Sequence, residues 1–115
     1  MCCAAGLASL NVILKENLAE QAVKRNVLFR EKLWHNLIVS IRGEGLLLAV
    51  QLDDPAYVRY VINNAPGFGL VLDYFLFCDD AFRIAPPLTI NEEETEYAIV
   101  QLKRLLDDAA VRVKK

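Results

Sequence analysis

Residues 82–94 read FRIAPPLTINEEE, in which a short apolar strand, its stop and the opening of a helix follow one another. Pro86 and Pro87 lack a backbone N–H and hold a fixed φ, so neither continues a ladder inside a sheet. Asn91 is a good helix N-cap, and Glu94 three residues later completes a capping-box pattern. Ahead of the stop, side chains alternate, so Phe82 and Ile84 point to one face and Arg83 to the other. A guanidinium fixed on a rigid strand end can grip a planar carboxylate with two parallel hydrogen bonds.

Working outward, the last helix runs from Glu92 to about Val113, with Ile99, Leu102, Leu106 and Ala109 on one face. Upstream, residues 69–72 read as a strand and residues 75–78 as another. Asp79 and Asp80 then form the turn into a strand over 82–85. Earlier still, residues 37–41 and 46–52 are apolar strands flanking Arg42-Gly43-Glu44-Gly45, whose glycines suit a bulge or a hairpin needing positive φ. Asp53-Asp54-Pro55 opens a helix with Tyr57, Val58, Val61 and Ile62 on its apolar side, and residues 63–67 end it.

Residues 4–34 contain no proline, and their only glycine is Gly6. Leu7, Leu10, Leu14, Leu18, Val23, Val27 and Leu28 recur at helical spacing, which predicts one long helix. At 1.5 Å per residue it measures about 46 Å. A chain of this size has a radius of gyration near 13 Å, so the helix is expected to overhang its own domain. Its start, MCCAAGLASL, is small, apolar and uncapped, which is what a cut through a larger fold leaves behind. The expected order is α-β-β-α-β-β-β-α. It gives an α+β architecture, a small, mostly antiparallel sheet with helices on one side, divided into residues 1–36 and a small domain over 37–115.

The chain has 115 residues and a formal net charge of −2, with no basic run above two residues, which argues against a nucleic-acid surface. Sixty-four of its residues are Gly, Cys or apolar without tyrosine, against a usual ~45–50% for soluble domains. No apolar run approaches the ~20 residues that span a bilayer, so a partner domain or subunit is expected to cover the excess. Cys2, Cys3 and Cys78 lack the C-x-x-C spacing of zinc or redox sites. With His35 the only histidine, no metal site is expected, and a reducing, cytoplasmic setting fits.

These segments resemble the C-terminal end of class III pyridoxal-phosphate aminotransferases, the ornithine and acetylornithine aminotransferase group. CCAAGLASLNVI is similar to the start of the helix joining the cofactor domain to the small domain in that family. Arg42-Gly43-Glu44-Gly45-Leu46 resembles its RGxGL turn, and residues 69–72 and 82–88 resemble its two later strands. The resemblance implies the C-terminal small domain of the fold type I aminotransferases, a homodimeric parent and a cofactor domain missing from this segment. It also implies transamination of an amino acid or ω-amino compound with a 2-oxo acid. Pyridoxal 5'-phosphate would be held upstream, and Arg83 would take the α-carboxylate of the amino-acid substrate. The rival reading is a free-standing α+β module that binds a small molecule or dimerises without catalysis.

Other candidates read more simply as structural. A Schiff-base lysine needs desolvation or a cationic neighbour, whereas Lys15, Lys24, Lys32 and Lys103 fall on polar helix faces and Lys114 and Lys115 are terminal. No catalytic residue is therefore expected here. His35 follows a helix end, where a cation meets the negative pole, and residues 92–94 place three glutamates at the positive pole of the next helix. Tyr74, Phe75 and Phe77 are read as core or interface aromatics.

Overall fold

The glycine turn shapes the first hairpin. In the computed structural model, which describes residues 1–75 and 78–113, Gly43 takes φ 123° and Gly45 φ 54°. A Cβ at Gly43 would stand 2.1 Å from the Leu47 carbonyl oxygen, so the position excludes a side chain on space as well as on φ. The turn joins β1 (Ile38–Glu44) to β2 (Leu47–Leu52), antiparallel, with Ile41 opposite Val50 and Arg42 opposite Ala49. β2 pairs with β4 (Cys78–Ile84), and β4 with β3 (Asp73–Phe75), again antiparallel, in the order β1-β2-β4-β3.

One face of the sheet carries Ile41, Val50 and Phe82 in a row, with Leu48 and Ile84 beside them, all buried. Three helices pack their buried side chains into this core. α2 (Leu18–Lys32) and the residue after it give Ala22, Phe29 and Leu33; α3 (Pro55–Asn64) gives Tyr57, Val58 and Val61; α4 (Glu92–Arg112) gives Ile99, Leu102, Leu105, Leu106 and Ala109. Each large apolar side chain buried in this way stabilises the fold by about 1.5–3 kcal/mol. The segment 1–36 thus shares a core with 37–115 through Phe29 and Leu33.

Local chemistry sets the helix starts. The Asp54 side chain accepts the Ala56 N–H at 2.8 Å with Pro55 in the first turn of α3. At α4, Asn91 Oδ1 accepts from the Glu94 N–H at 2.7 Å and Glu94 Oε1 from the Asn91 N–H at 3.2 Å, which makes the capping box expected from NEEE.

The long N-terminal helix is divided. α1 (Cys2–Lys15) ends before Asn17, which takes φ 51° and ψ 46°, and α2 then begins at Leu18. Asparagine is among the few non-glycine residues that adopt this left-handed conformation, and apolar periodicity carries no trace of a one-residue reversal. Of the face expected on α2, Leu18 is buried whereas Val23 and Val27 are exposed, and Ala22 and Phe29 are buried beside Leu18. No residue of α1 is buried, and the molecule measures 50 × 28 × 24 Å, so the expected overhang is present.

Among the described residues the sheet has four strands, one fewer than expected. Residues 69–72 form no ladder: a 3₁₀ turn (Ala65–Phe68) closes at Gly69, φ 79°, and the Leu70 N–H bonds back to the Ala65 carbonyl at 3.0 Å. Leu70 and Leu72 pack against the core without strand pairing. Of the strand expected over 75–78, Phe75 ends β3 and Cys78 begins β4, while residues 76 and 77 lie outside the described residues. Asp79 and Asp80, read as a turn, lie within β4. No helix among the described residues is long and apolar enough to cross a membrane.

Candidate functional site

Arg83 leaves β4 on the face away from the core. Phe82 and Ile84 on either side of it are 0% and 5% exposed, whereas 41% of the Arg83 side chain meets solvent. Two segments flank it: residues 69–72, and the Ala85-Pro86-Pro87 exit of β4, with a cleft of about 300 Å³ between them, walled also by Phe29 and Leu102. The alternation read from FRI therefore holds, and the double proline ends the strand just past the arginine.

A partner for Arg83 went unread in the sequence. Asp73 stands directly opposite it in the β3–β4 register and accepts a hydrogen bond from Nη2 at 3.0 Å. This bond engages one of the five N–H donors of a guanidinium. The register extends across the sheet: Arg42 lies opposite Ala49, Ala49 opposite Arg83 and Arg83 opposite Asp73, one row over four strands.

Beside this row lies a polar chain. Ser40 Oγ donates to Gln51 Oε1 (3.4 Å), Gln51 Nε2 to Asp80 Oδ2 (2.9 Å), and Cys78 Sγ to Asp80 Oδ1 (3.0 Å); Arg42 Nη2 stands 3.9 Å from Cys78 Sγ. The thiol bond from Cys78 holds the Asp80 carboxyl below the usual carboxylate range; the Gln51 amide and the Arg42 charge act the same way, and burial opposes them.

Helix α2 supports the turn next to Arg42. Arg30 donates through Nη1 to the Ile41 carbonyl (3.0 Å) and through Nη2 to the Gly43 carbonyl (2.6 Å), and Asn26 Nδ2 donates to the Gly45 carbonyl (2.8 Å). The backbone on both sides of Arg42 is thus pinned. A surface stripe of arginine and asparagine on a helix gives no signal of this from sequence.

The histidine, lysine and glutamate candidates lie on other elements than Arg83. His35 Nδ1 accepts from the Leu37 N–H at 3.2 Å and Nε2 lies 2.6 Å from Asp107 Oδ1, which ties the loop after α2 to α4. Lys15, Lys24 and Lys32 are exposed and Lys103 is half-buried. Lys32 bonds Glu96 Oε1 at 2.6 Å, and that bond raises its pKa, opposite to what a lysine nucleophile needs. Glu92 and Glu93 are exposed in the first turn of α4. Tyr74 is partly exposed on β3 and Phe75 half-buried; Phe77, Lys114 and Lys115 lie outside the described residues. Among the described residues, no group of three His, Cys, Asp or Glu side chains is placed to hold a metal ion.

Comparison with known proteins matches residues 1–106 to the family model described as Aminotransferase class-III. An acetylornithine aminotransferase of Bifidobacterium longum (strain NCC 2705) is 37% identical over 108 residues, covering 91% of this chain and 24% of its own length. The solved ornithine aminotransferase of Toxoplasma gondii ME49 superposes with a TM-score of 0.85 at 27% identity, over 96% of this chain and 28% of that one. The omega transaminase of Pseudomonas jessenii, solved in complex with PMP, gives a TM-score of 0.78 at 30% identity, over 89% of this chain and 25% of its own. The chain spans about a quarter of the length of these relatives.

Proposed function

The chain belongs to the class III aminotransferase family, and from that membership we propose that it forms the C-terminal small domain of a pyridoxal-phosphate-dependent transaminase. Its substrate is an amino acid or an ω-amino compound, with a 2-oxo acid as acceptor, and Arg83 binds the substrate carboxylate. The observation that carries this reading is the placement of Arg83. Its guanidinium stands on a strand whose other face is locked into the core by Phe82 and Ile84, so its base does not move when a ligand arrives. An anchored, planar fork fixes the orientation of a carboxylate as well as its position.

The described residues do not fit pyridoxal phosphate. A lysine that holds the cofactor needs a water-poor pocket; three of the described lysines are exposed, and Lys103 borders an open groove it shares with Lys32, Glu31 and Glu96. The cofactor is therefore assigned to the larger remainder of such an enzyme, a homodimer in the cytoplasm, and the 115-residue segment is catalytically silent by itself. α1, with no buried residue and Leu7, Leu10 and Leu14 exposed, offers the surface toward that remainder.

A chimera tests the reading. This chain replaces the matching quarter of the Bifidobacterium longum acetylornithine aminotransferase, and transamination is assayed with added pyridoxal phosphate. The expected result is an active chimera and an inactive isolated segment. Turnover by the isolated segment, with one lysine labelled stoichiometrically after borohydride reduction, would overturn it.

A further inference from the structure

We propose that the groove between α2 and α4 is a self-complementary surface that pairs with the same groove of a second copy of this chain, Glu31 of each copy facing Lys103 of the other. The surface involves neither Arg83 nor α1, so it stands independently of the roles assigned to them.

The two helices are tied side by side. Arg25 Nε donates to the Ile90 carbonyl just ahead of α4 at 3.2 Å, and Lys32 Nζ bonds Glu96 Oε1 at 2.6 Å. Outside these ties lies a hollow of about 530 Å³, walled by Trp34, Ile99 and Val100 with Glu31 and Lys103. A second hollow, of about 320 Å³, carries the seam back along α2 past Val27 and Leu28. Helical spacing puts Val27, Glu31 and Trp34 on one wall and Glu96, Val100 and Lys103 on the other. Val27, Trp34 and Val100 are exposed, the indole to 53%. Trp34 Nε1 donates to the Arg30 carbonyl at 2.6 Å, so its polar atom is already satisfied and its ring is fixed. A fixed aromatic with no polar need left is covered at little entropic or desolvation cost, as interface anchors are.

Charge selects the occupant. Lys32 and Glu96 neutralise each other within the groove. Glu31 and Lys103 do not: among the described residues neither belongs to an ion pair, and Glu31 adds only the smallest of the charge effects on Lys32. The α2 wall therefore keeps a spare negative charge and the α4 wall a spare positive one. A two-fold axis lying in the plane of contact, midway between the two positions, sets Glu31 of each copy over Lys103 of the other. One complementarity then makes two ion pairs around the apolar part of the groove. A partner with charge of one sign would satisfy one wall and be repelled by the other. Exposed pairs add little affinity by themselves; they fix which surfaces meet, while Trp34 and Val100 supply the apolar burial.

Trp34 is the only tryptophan of the chain, so its fluorescence reports this groove and no other surface. Emission of the 115-residue chain, followed from dilute to concentrated solution beside sedimentation velocity, is expected to move to shorter wavelength as dimer forms. Glu31→Lys and Lys103→Glu, each of which turns both ion pairs into like-charge contacts, should weaken that association about tenfold or more. An equimolar mixture of the two variants should restore it, because each then meets its opposite charge, and so should the double exchange within one chain. Circular dichroism checks the fold of each variant. Lys103→Gln, which removes charge without reversing it, weakens pairing by less and serves where the reversal disturbs the half-buried position. Emission that stays constant with concentration, growth in mass without a Trp34 shift, a shift indifferent to both charge reversals, or a mixture that fails to restore pairing overturns the proposal.

Discussion

Arg83 and Asp73 face each other across the β3–β4 pair, Nη2 to Oδ2 at 3.0 Å, with 41% and 68% of their side chains in solvent. An ion pair so exposed gains little Coulomb energy and is screened by salt, so its net contribution to stability is about 0–1 kcal/mol. Asp73→Ala is therefore expected to shift the urea midpoint only slightly, with an unchanged m-value. A loss well above 1 kcal/mol would give the pair a structural role and weaken the case for Arg83 as a binding group.

Arg30 is the arginine on which the fold depends. It bonds the Ile41 and Gly43 carbonyls and Asn26 Oδ1, joining α2 to the β1–β2 turn. Hydrogen bonds from a charged donor are each worth about 1.5–3 kcal/mol, so Arg30→Ala should cost at least that much in denaturant unfolding. Arg30→Lys should recover only part, because one ammonium cannot span two carbonyls as the planar fork does.

Gly43→Ala combines two penalties, φ 123° and a Cβ 2.1 Å from the Leu47 carbonyl oxygen. Backbone strain of this kind costs on the order of 1–3 kcal/mol before the clash is counted. Thermal unfolding should show a clear loss, and amide exchange should accelerate first in β1 and β2. By contrast, Gly6→Ala, where a Cβ meets nothing within 4 Å, should be neutral or slightly stabilising in the helix.

Acid sensitivity follows from Asp108. The Tyr60 hydroxyl bonds its carboxylate, and Arg112 Nε bonds the other oxygen at 2.9 Å; Tyr60 first and Arg112 next hold the Asp108 pKa below the usual range, against burial. A depressed folded-state pKa means that the unfolded chain binds protons first. The stabilisation is then present above the unfolded value of about 4 and is lost as pH falls through the folded one. The same bond raises the pKa of Tyr60, so its part of the stability is present below about pH 10 and lost on going higher. Tyr60→Phe should lower stability at neutral pH and flatten both limbs of a stability-against-pH curve measured in urea.

Much of this architecture is legible in local sequence. Asn91 and Glu94 announce the capping box, Pro86 and Pro87 stop β4, Gly43 and Gly45 mark the turn, and the alternation in FRI puts Arg83 outside. Each of these rests on neighbours within a few residues. What stayed hidden depends on distant pairing. Residues 69–72 have a strand's composition but find no ladder partner, and the real edge strand starts at Asp73, so the Asp73–Arg83 pair could not be read. Asn17 divides the N-terminal helix through one backbone angle. The row from Arg42 through Ala49 to Arg83 exists only once strand order and register are known.

The most direct test of Arg83 as the carboxylate grip is kcat/KM of the active chimera with Arg83→Lys, for a substrate bearing an α-carboxylate and for an amine lacking one. Lysine keeps the charge and loses the two-pronged geometry. The loss of a charge-assisted hydrogen bond, about 1.5–3 kcal/mol, corresponds to a roughly ten- to hundredfold fall for the carboxylate substrate, with a much smaller change for the amine. An equal fall for both substrates, or an Arg83→Ala domain that no longer folds, would contradict the account and make Arg83 a structural residue.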